Sequence, residues 1–131
     1  MTLLEYKNLL LKTSLEGGFP AVKVDEPISC SYLTAEGRKC AVGLLIPDGH
    51  DAQKARGDVA AILHDYPDLQ GHMPEGSNMR LLLLIQRTHD FNTRVLFGGT
   101  KRTQWNHESF SRDIERIFKE HEDATLQNSV A

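Results

Sequence analysis

Cysteine is scarce in this chain: Cys30 and Cys40 are the only two among 131 residues. That is too few to staple a secreted disulfide scaffold, and in a reducing cytosol both are expected to stay thiols. Five prolines and ten glycines fall well below the level of collagen-like or low-complexity chains. A surplus of positive charge is also missing, since 15 Lys and Arg face 18 Asp and Glu for a formal charge of -3. No overall field therefore draws the molecule to nucleic acid or an anionic membrane, and such contacts would have to be local. The longest aliphatic run covers only 81–85, far short of the roughly 18–20 apolar residues that span a bilayer. Near the start, Glu5 and Lys7 interrupt the apolar segment that a signal peptide needs. The expectation is cytoplasmic residence. Nucleotide and esterase motifs are lacking too: Gly98-Gly99-Thr100-Lys101 has no preceding loop glycine, and no Gly-x-Ser-x-Gly occurs.

What is present fits one domain of ordinary size, with 40% hydrophobic and 25% charged residues. A chain of this length buries roughly two-thirds of its unfolded surface and folds without staples. Thr2 followed by Glu5 is a capping box, and it predicts a helix over residues 3–15 that stops at Gly17-Gly18. Leu3, Leu4, Tyr6, Leu10, Leu11 and Leu15 would form its broad apolar face. Asp58 caps a second helix through Val59, Ile62 and Leu63 to Tyr66, before Pro67. Ser77 is placed to cap the most apolar segment, 78–91, in which Met79, 81–85 and Phe91 would be buried. A last helix is expected over about 106–121, where Trp105, Phe110, Ile114, Ile117 and Phe118 recur at helical spacing. Residues 28–33 suit a strand and 35–38 a turn. The run 39–46 reads either as a return strand or as the first turns of a buried helix, because a short apolar run does not fix its own period. The expected architecture is α+β and mainly helical, about four helices with a short β-hairpin near 28–45. The expected organisation is a single globular domain over 1–122 and a flexible C-terminal tail over 123–131.

The sharpest chemical feature is Cys40, just after Gly37-Arg38-Lys39, because a helix start and nearby cations both favour a thiolate. A thiol-dependent hydrolase would use Cys40 as nucleophile, His89 as base and Asp90 to orient it. Adjacent helical residues point about 100° apart, which makes Asp90 a poor orienter for its neighbour. The plainer reading of Cys40 is a small buried hydrophobe. A zinc-stabilised interaction domain would combine Cys30 and Cys40, although nine intervening residues exceed the usual spacing of two to four. Asp48, His50 and Asp51 offer metal ligands, yet Pro47-Asp-Gly-His-Asp51 is also ordinary turn composition. Otherwise no metal and no cofactor is expected. A final hint is basic: Arg80, Arg87 and Arg94 recur every seven residues and so lie on one side of a helix, followed by Lys101 and Arg102. Guanidinium groups bind oxyanions bidentately, so this set suits a phosphate-bearing ligand or an acidic partner, against the plainer reading of a solvated face.

Two resemblances accompany these residues. His64-Asp65 and His89-Asp90 are similar to the metal-holding His-Asp pair of helical phosphohydrolases, for which His50 and Asp113 are loose candidates as the remaining ligands. The segments Cys30-x-Tyr32, Gly37-Arg-Lys-Cys-Ala-Val-Gly43-x-Leu-Ile-Pro-Asp48 and Leu83-x-x-Gln86-x-x-His89-Asp90 resemble small uncharacterised proteins of phages and prophages. That resemblance covers about 28–92 and implies a viral accessory protein in the host cytoplasm, acting stoichiometrically on a host protein or a nucleotide signal, as in counter-defence. The leading expectation is thus a non-catalytic protein that binds a host protein or a small anionic ligand. Arg80, Arg87, Arg94, Lys101 and Arg102 form its contact set, and neither nucleic acid nor a membrane is the expected partner. The oligomeric state stays open, a homodimer included.

Overall fold

The computed structural model describes residues 1–19, 32, 38–55, 57–92 and 105–130. Four helices carry the architecture: α1 (Leu3–Leu15), α2 (Val59–Asp65), α3 (Met79–Asn92) and α4 (His107–Val130). Short 3-10 segments at Gly43–Leu45, Asp51–Lys54 and Pro67–His72 lie between them. α4 packs against both α1 and α3, and α2 against α3. One core results, with Tyr6 and Leu10 from α1, Leu81 and Ile85 from α3, and Phe110 and Ile114 from α4.

Local sequence explains most helix boundaries. The Thr2 hydroxyl accepts from the Glu5 amide at 3.1 Å while the Glu5 carboxylate accepts from the Thr2 amide at 3.0 Å, so the predicted capping box is complete. The helix stops where Gly17 takes φ 69, in the left-handed region that costs glycine nothing. The Arg38 guanidinium donates to the Gly17 carbonyl at 3.1 Å beyond that stop. Asp58 caps α2 through the Ala61 amide at 2.9 Å, as expected. At α3 the cap is Asn78 and not Ser77: the Asn78 side chain accepts from the Leu81 amide at 2.8 Å, whereas the Ser77 hydroxyl donates to the Pro74 carbonyl at 2.6 Å. Asn106 caps α4 through the Ser109 amide at 3.0 Å. That helix continues well past residue 121, to Val130.

The α+β expectation is corrected. Among the described residues there is no strand: within 28–45 Lys39 alone is a single bridge residue, and the bridge between Thr2 and Glu75 lies elsewhere. Residues 28–31, 33 and 35–37, the first arm and turn of that hairpin, lie outside the described residues. The return arm is a turn because its backbone pairs locally: the Leu44 amide donates to the Cys40 carbonyl, Leu45 to Val42 and Ile46 to Gly43. Cys40, Ala41, Val42, Leu45 and Ile46 are all buried. Residues 40–43 are buried in succession, without the alternation between core and solvent that a half-exposed hairpin strand shows.

The buried arcs also differ from expectation. In α1 the inward row is Tyr6, Leu10 and Ser14, while Leu4 and Leu15 face solvent. In α3 the inward face carries Leu81, Leu82, Ile85, Gln86, His89 and Asn92, leaving Phe91 exposed. No helix among the described residues is long and apolar enough to cross a membrane.

Candidate functional site

The inner face of α3 turns polar towards its C-terminal end, and those polar groups hold neighbouring segments in place. The Gln86 carbonyl oxygen accepts from the Val59 amide at 3.0 Å, satisfying a donor at the start of α2, and its amide nitrogen donates to the Tyr32 hydroxyl at 3.3 Å. The Tyr32 hydroxyl in turn donates to the Gly57 carbonyl at 2.6 Å. Gly43 lies against the Tyr32 backbone so closely that a Cβ there would come within 2.2 Å of the Tyr32 carbonyl oxygen.

His89 is one turn further on and only 3% exposed. Its ring packs edge-on against Phe19, with centroids 5.2 Å apart, and beside Trp105 at 5.5 Å. Trp105 is anchored by donating to the Ser14 hydroxyl at 2.7 Å, and the same hydroxyl meets His107 Nδ1 at 2.7 Å. His89 Nδ1 lies 3.1 Å from the Asp90 carboxylate. The angular argument against that pairing is therefore corrected: the carboxylate swings round to its neighbour across the helix surface. His89 Nε2, the nitrogen that would take a proton from a nucleophile, is buried and finds no hydrogen-bond partner among the described residues.

Cys40 is 1% exposed and stands just ahead of the Gly43–Leu45 turn, where its sulfur accepts from the Gly43 amide at 3.3 Å. The thiol thus sits at the start of a helical turn, but inside the core. Beside it the Tyr6 hydroxyl donates to the Ala41 carbonyl at 2.8 Å. Burial, and secondarily the nearby Cys40, push the Tyr6 phenol well above its ordinary 10.0, so it remains a protonated donor at neutral pH. The surroundings of Cys40 and His89 are those of packing residues. Cys30 lies outside the described residues, so the zinc pair is not assembled within them.

Most of the remaining histidine and carboxylate candidates make local polar contacts of their own. His50 Nδ1 accepts from the Ala52 amide at 3.0 Å, so its neutral ring carries the proton on Nε2 and donates to Asp68 at 2.7 Å. The His50 hydrogen bond holds the Asp68 carboxyl below its usual range. Asp48 pairs with Lys39, which lowers its carboxyl in the same way. Asp51 opens the Asp51–Lys54 turn, which His50 caps. His64 and Asp65 meet at 3.3 Å in the open, and Asp113 pairs with Arg116 at 3.5 Å. Among the described residues no group of three His, Cys, Asp or Glu side chains is arranged to hold a metal.

Of the basic set, Arg80 and Arg87 are described and both are exposed on α3. Arg94, Lys101 and Arg102 lie outside the described residues. Among the described residues neither Arg80 nor Arg87 makes an ion pair, although carboxylates are abundant elsewhere on the surface. Two apolar residues join them: half-buried Leu84 and Phe91, which is 73% exposed. At 100° per residue, Arg80, Leu84, Arg87 and Phe91 fall within about 60° of arc and make one ridge. Sequence reasoning placed Phe91 in the core; the steps of four, three and four that join these residues were the signal that could have moved it outward. Beside the ridge, a groove of about 220 Å³ between α3 and α4 is bordered by Asn78, Arg80, Leu84, Ile117, Glu120 and His121. Comparison with protein-family models, with curated proteins and with solved structures finds no match to this chain.

Proposed function

We propose that this chain is a non-catalytic binding protein of the host cytoplasm, of phage-accessory type, and that the outer ridge of α3 holds an acidic surface of a host protein. The observation that carries the reading is the pair of exposed arginines, Arg80 and Arg87, without carboxylate partners among the described residues and flanked by exposed Phe91. Arginine and aromatic side chains are the residue types that dominate protein interfaces, the first for bidentate carboxylate contacts and the second for buried area. The burial of Cys40 and His89 favours binding over thiol chemistry, because a nucleophile needs access to its substrate. The resemblance of 28–92 to small phage and prophage proteins agrees with a stoichiometric role, counter-defence among them. A small nucleotide-like anion is a second reading, favoured by Asn78, Arg80 and His121 around the α3–α4 groove. Its volume of about 220 Å³ is below the roughly 300 Å³ at which ligand sites begin, and Glu120 opposes an anion there.

The test is affinity capture from host lysate with the wild-type chain and with an Arg80→Glu, Arg87→Glu double variant. A host protein held by the wild type, weakened by added salt and reduced about tenfold by charge reversal, is the expected result. Equal capture by both forms would refute the reading. Calorimetric titration of nucleotides into the same two proteins tests the small-anion alternative.

A further inference from the structure

Trp105 ties the start of α4 to the ends of α1 and α3, and it does so between two histidines that are each placed where a further proton fits badly. The indole packs against Phe19 at 5.0 Å and Phe110 at 4.9 Å, and next to it the Asn106 amide donates to the Asn92 carbonyl at 3.4 Å. On one side lies His89. Its Nδ1 faces the Asp90 carboxylate, an acceptor, so the neutral ring carries its hydrogen there and leaves Nε2 bare beside Phe19 and Trp105. A proton added at Nε2 brings a full charge into a place closed to water, and the new N–H meets no acceptor among the described residues. Asp90 attracts that charge only from the Nδ1 side, where it bonds the ring in both states.

On the other side the order of donors is fixed. The indole nitrogen can only donate, so the Ser14 oxygen accepts from it and the single Ser14 hydrogen goes to His107 Nδ1. The chain of bonds from Trp105 through Ser14 thus requires a neutral His107 with its own proton on Nε2. A protonated His107 becomes a second donor that competes with the indole for the Ser14 oxygen, and the Ser14 hydrogen loses its acceptor. Ser14 is only 2% exposed, so water does not make good the loss. His107 is also the first residue of α4, where the helix dipole opposes a cation. Of the other charged groups on these elements, Arg38 donates to the Gly17 and Phe19 carbonyls and adds positive charge to the junction. Lys12, Glu16, Arg87, Glu108 and Arg112 are exposed to water, and Lys7 and Glu115, two turns along α1 and α4, bond each other.

We propose that this junction is a proton-sensitive latch: neutral His89 and His107 hold Trp105 in place, and protonation of the pair frees the indole, and with it the start of α4, from α1 and α3. Trp105 is the only tryptophan in the chain, so acrylamide quenching of its fluorescence reads access to the indole. In the full chain, quenching is expected to rise severalfold as pH falls from about 7.5 to about 5, the span in which histidines titrate, while helical circular dichroism is unchanged. Combining His89→Leu with His107→Asn should abolish the rise. Leucine suits a place walled by aromatic rings, and the asparagine oxygen accepts the Ser14 hydrogen at every pH. Each single variant should lose part of the rise, so the test stands even if the pair does not fold. The chain has six histidines, and a general loosening by the other four would persist in the double variant. Quenching that stays constant in the wild type, or rises equally in the double variant, overturns the proposal. Loss of the helical signal over the same span would make the change global and overturns it equally.

Discussion

Gly43 shows at the residue scale how a position can be fixed by space alone. It needs no unusual backbone angle; it needs the absence of a Cβ, because the Tyr32 carbonyl oxygen would stand 2.2 Å away and the Tyr32 carbonyl carbon 3.1 Å away. Both are backbone atoms, which cannot swing aside as a side chain would. Gly43→Ala is expected to cost about 1–3 kcal/mol, read as a lower urea midpoint at unchanged slope. Gln86→Leu keeps the volume but leaves the Val59 amide without its acceptor, and the loss of one buried hydrogen-bond partner costs about 1–3 kcal/mol. Both substitutions act on the seating of Tyr32, so the double variant should be less destabilised than the sum. Strict additivity would show that the two contacts are independent. Cys40 makes a simpler prediction. In a Cys30→Ser background its thiol should label with iodoacetamide far more slowly than a denatured control, since the sulfur is enclosed and engaged by the Gly43 amide. Labelling at the denatured rate would reopen the thiol-enzyme reading.

At the scale of elements, the helix caps separate what is locally written from what is not. Asn78→Ala removes the acceptor for the Leu81 amide and should cost about 1 kcal/mol, whereas Ser77→Ala leaves that cap in place and should cost less. Thermal unfolding of the two variants distinguishes them, and the reverse ranking would contradict the cap assignment. α1 was legible because its start, Thr2 with Glu5, and its stop, Gly17, each act within a few residues. The two candidate caps of α3 are adjacent in sequence, and only the carbonyl of Pro74, brought close by the preceding turn, draws the Ser77 hydroxyl away. The run 39–46 was legible only as an alternative between a return strand and the first turns of a buried helix, and the buried turn at Gly43–Leu45 is of the second kind. Its burial draws on Tyr6, which approaches from the N-terminal helix, as well as on nearby Tyr32, and an apolar run carries no mark of who its neighbours are. Leu4, Leu15 and Phe91 misled for the same reason: apolar character says that a face is available and not which arc a partner helix will cover. The ridge on α3 was partly legible, because a seven-residue spacing keeps Arg80 and Arg87 together on any helix. The enclosure of His89 was not, since Phe19 and Trp105 reach it only through the tertiary fold.

For the whole molecule, the same contacts set how stability responds to pH, and the two limbs have separate owners. Hydrogen bonds from Thr2, Lys39 and His50 hold the carboxyls of Glu5, Asp48 and Asp68 below their ordinary 4.5, 3.8 and 3.8 respectively. A carboxyl lowered by folding stabilises the native state above its unfolded value, and that contribution disappears as pH falls through the lower, folded value. Stability is therefore expected to drop below about pH 4, and Asp68→Asn should remove part of the drop while lowering the neutral-pH midpoint. Tyr6 acts at the other end with the opposite sign. Its phenol is raised above 10.0 by burial, so the folded state holds that proton more tightly than the unfolded chain does. The contribution is complete below 10.0 and is lost as pH rises from there towards the folded value. Urea midpoints measured across this range should fall above 10.0 in the wild type, with phenolate absorbance from Tyr6 emerging only as the chain unfolds. Tyr6→Phe should begin from a lower midpoint, because the Ala41 carbonyl loses its donor, and should decline less steeply on the alkaline side. An alkaline limb identical in the two proteins would mean that Tyr6 is not the proton that joins α1 to the buried 40–46 segment.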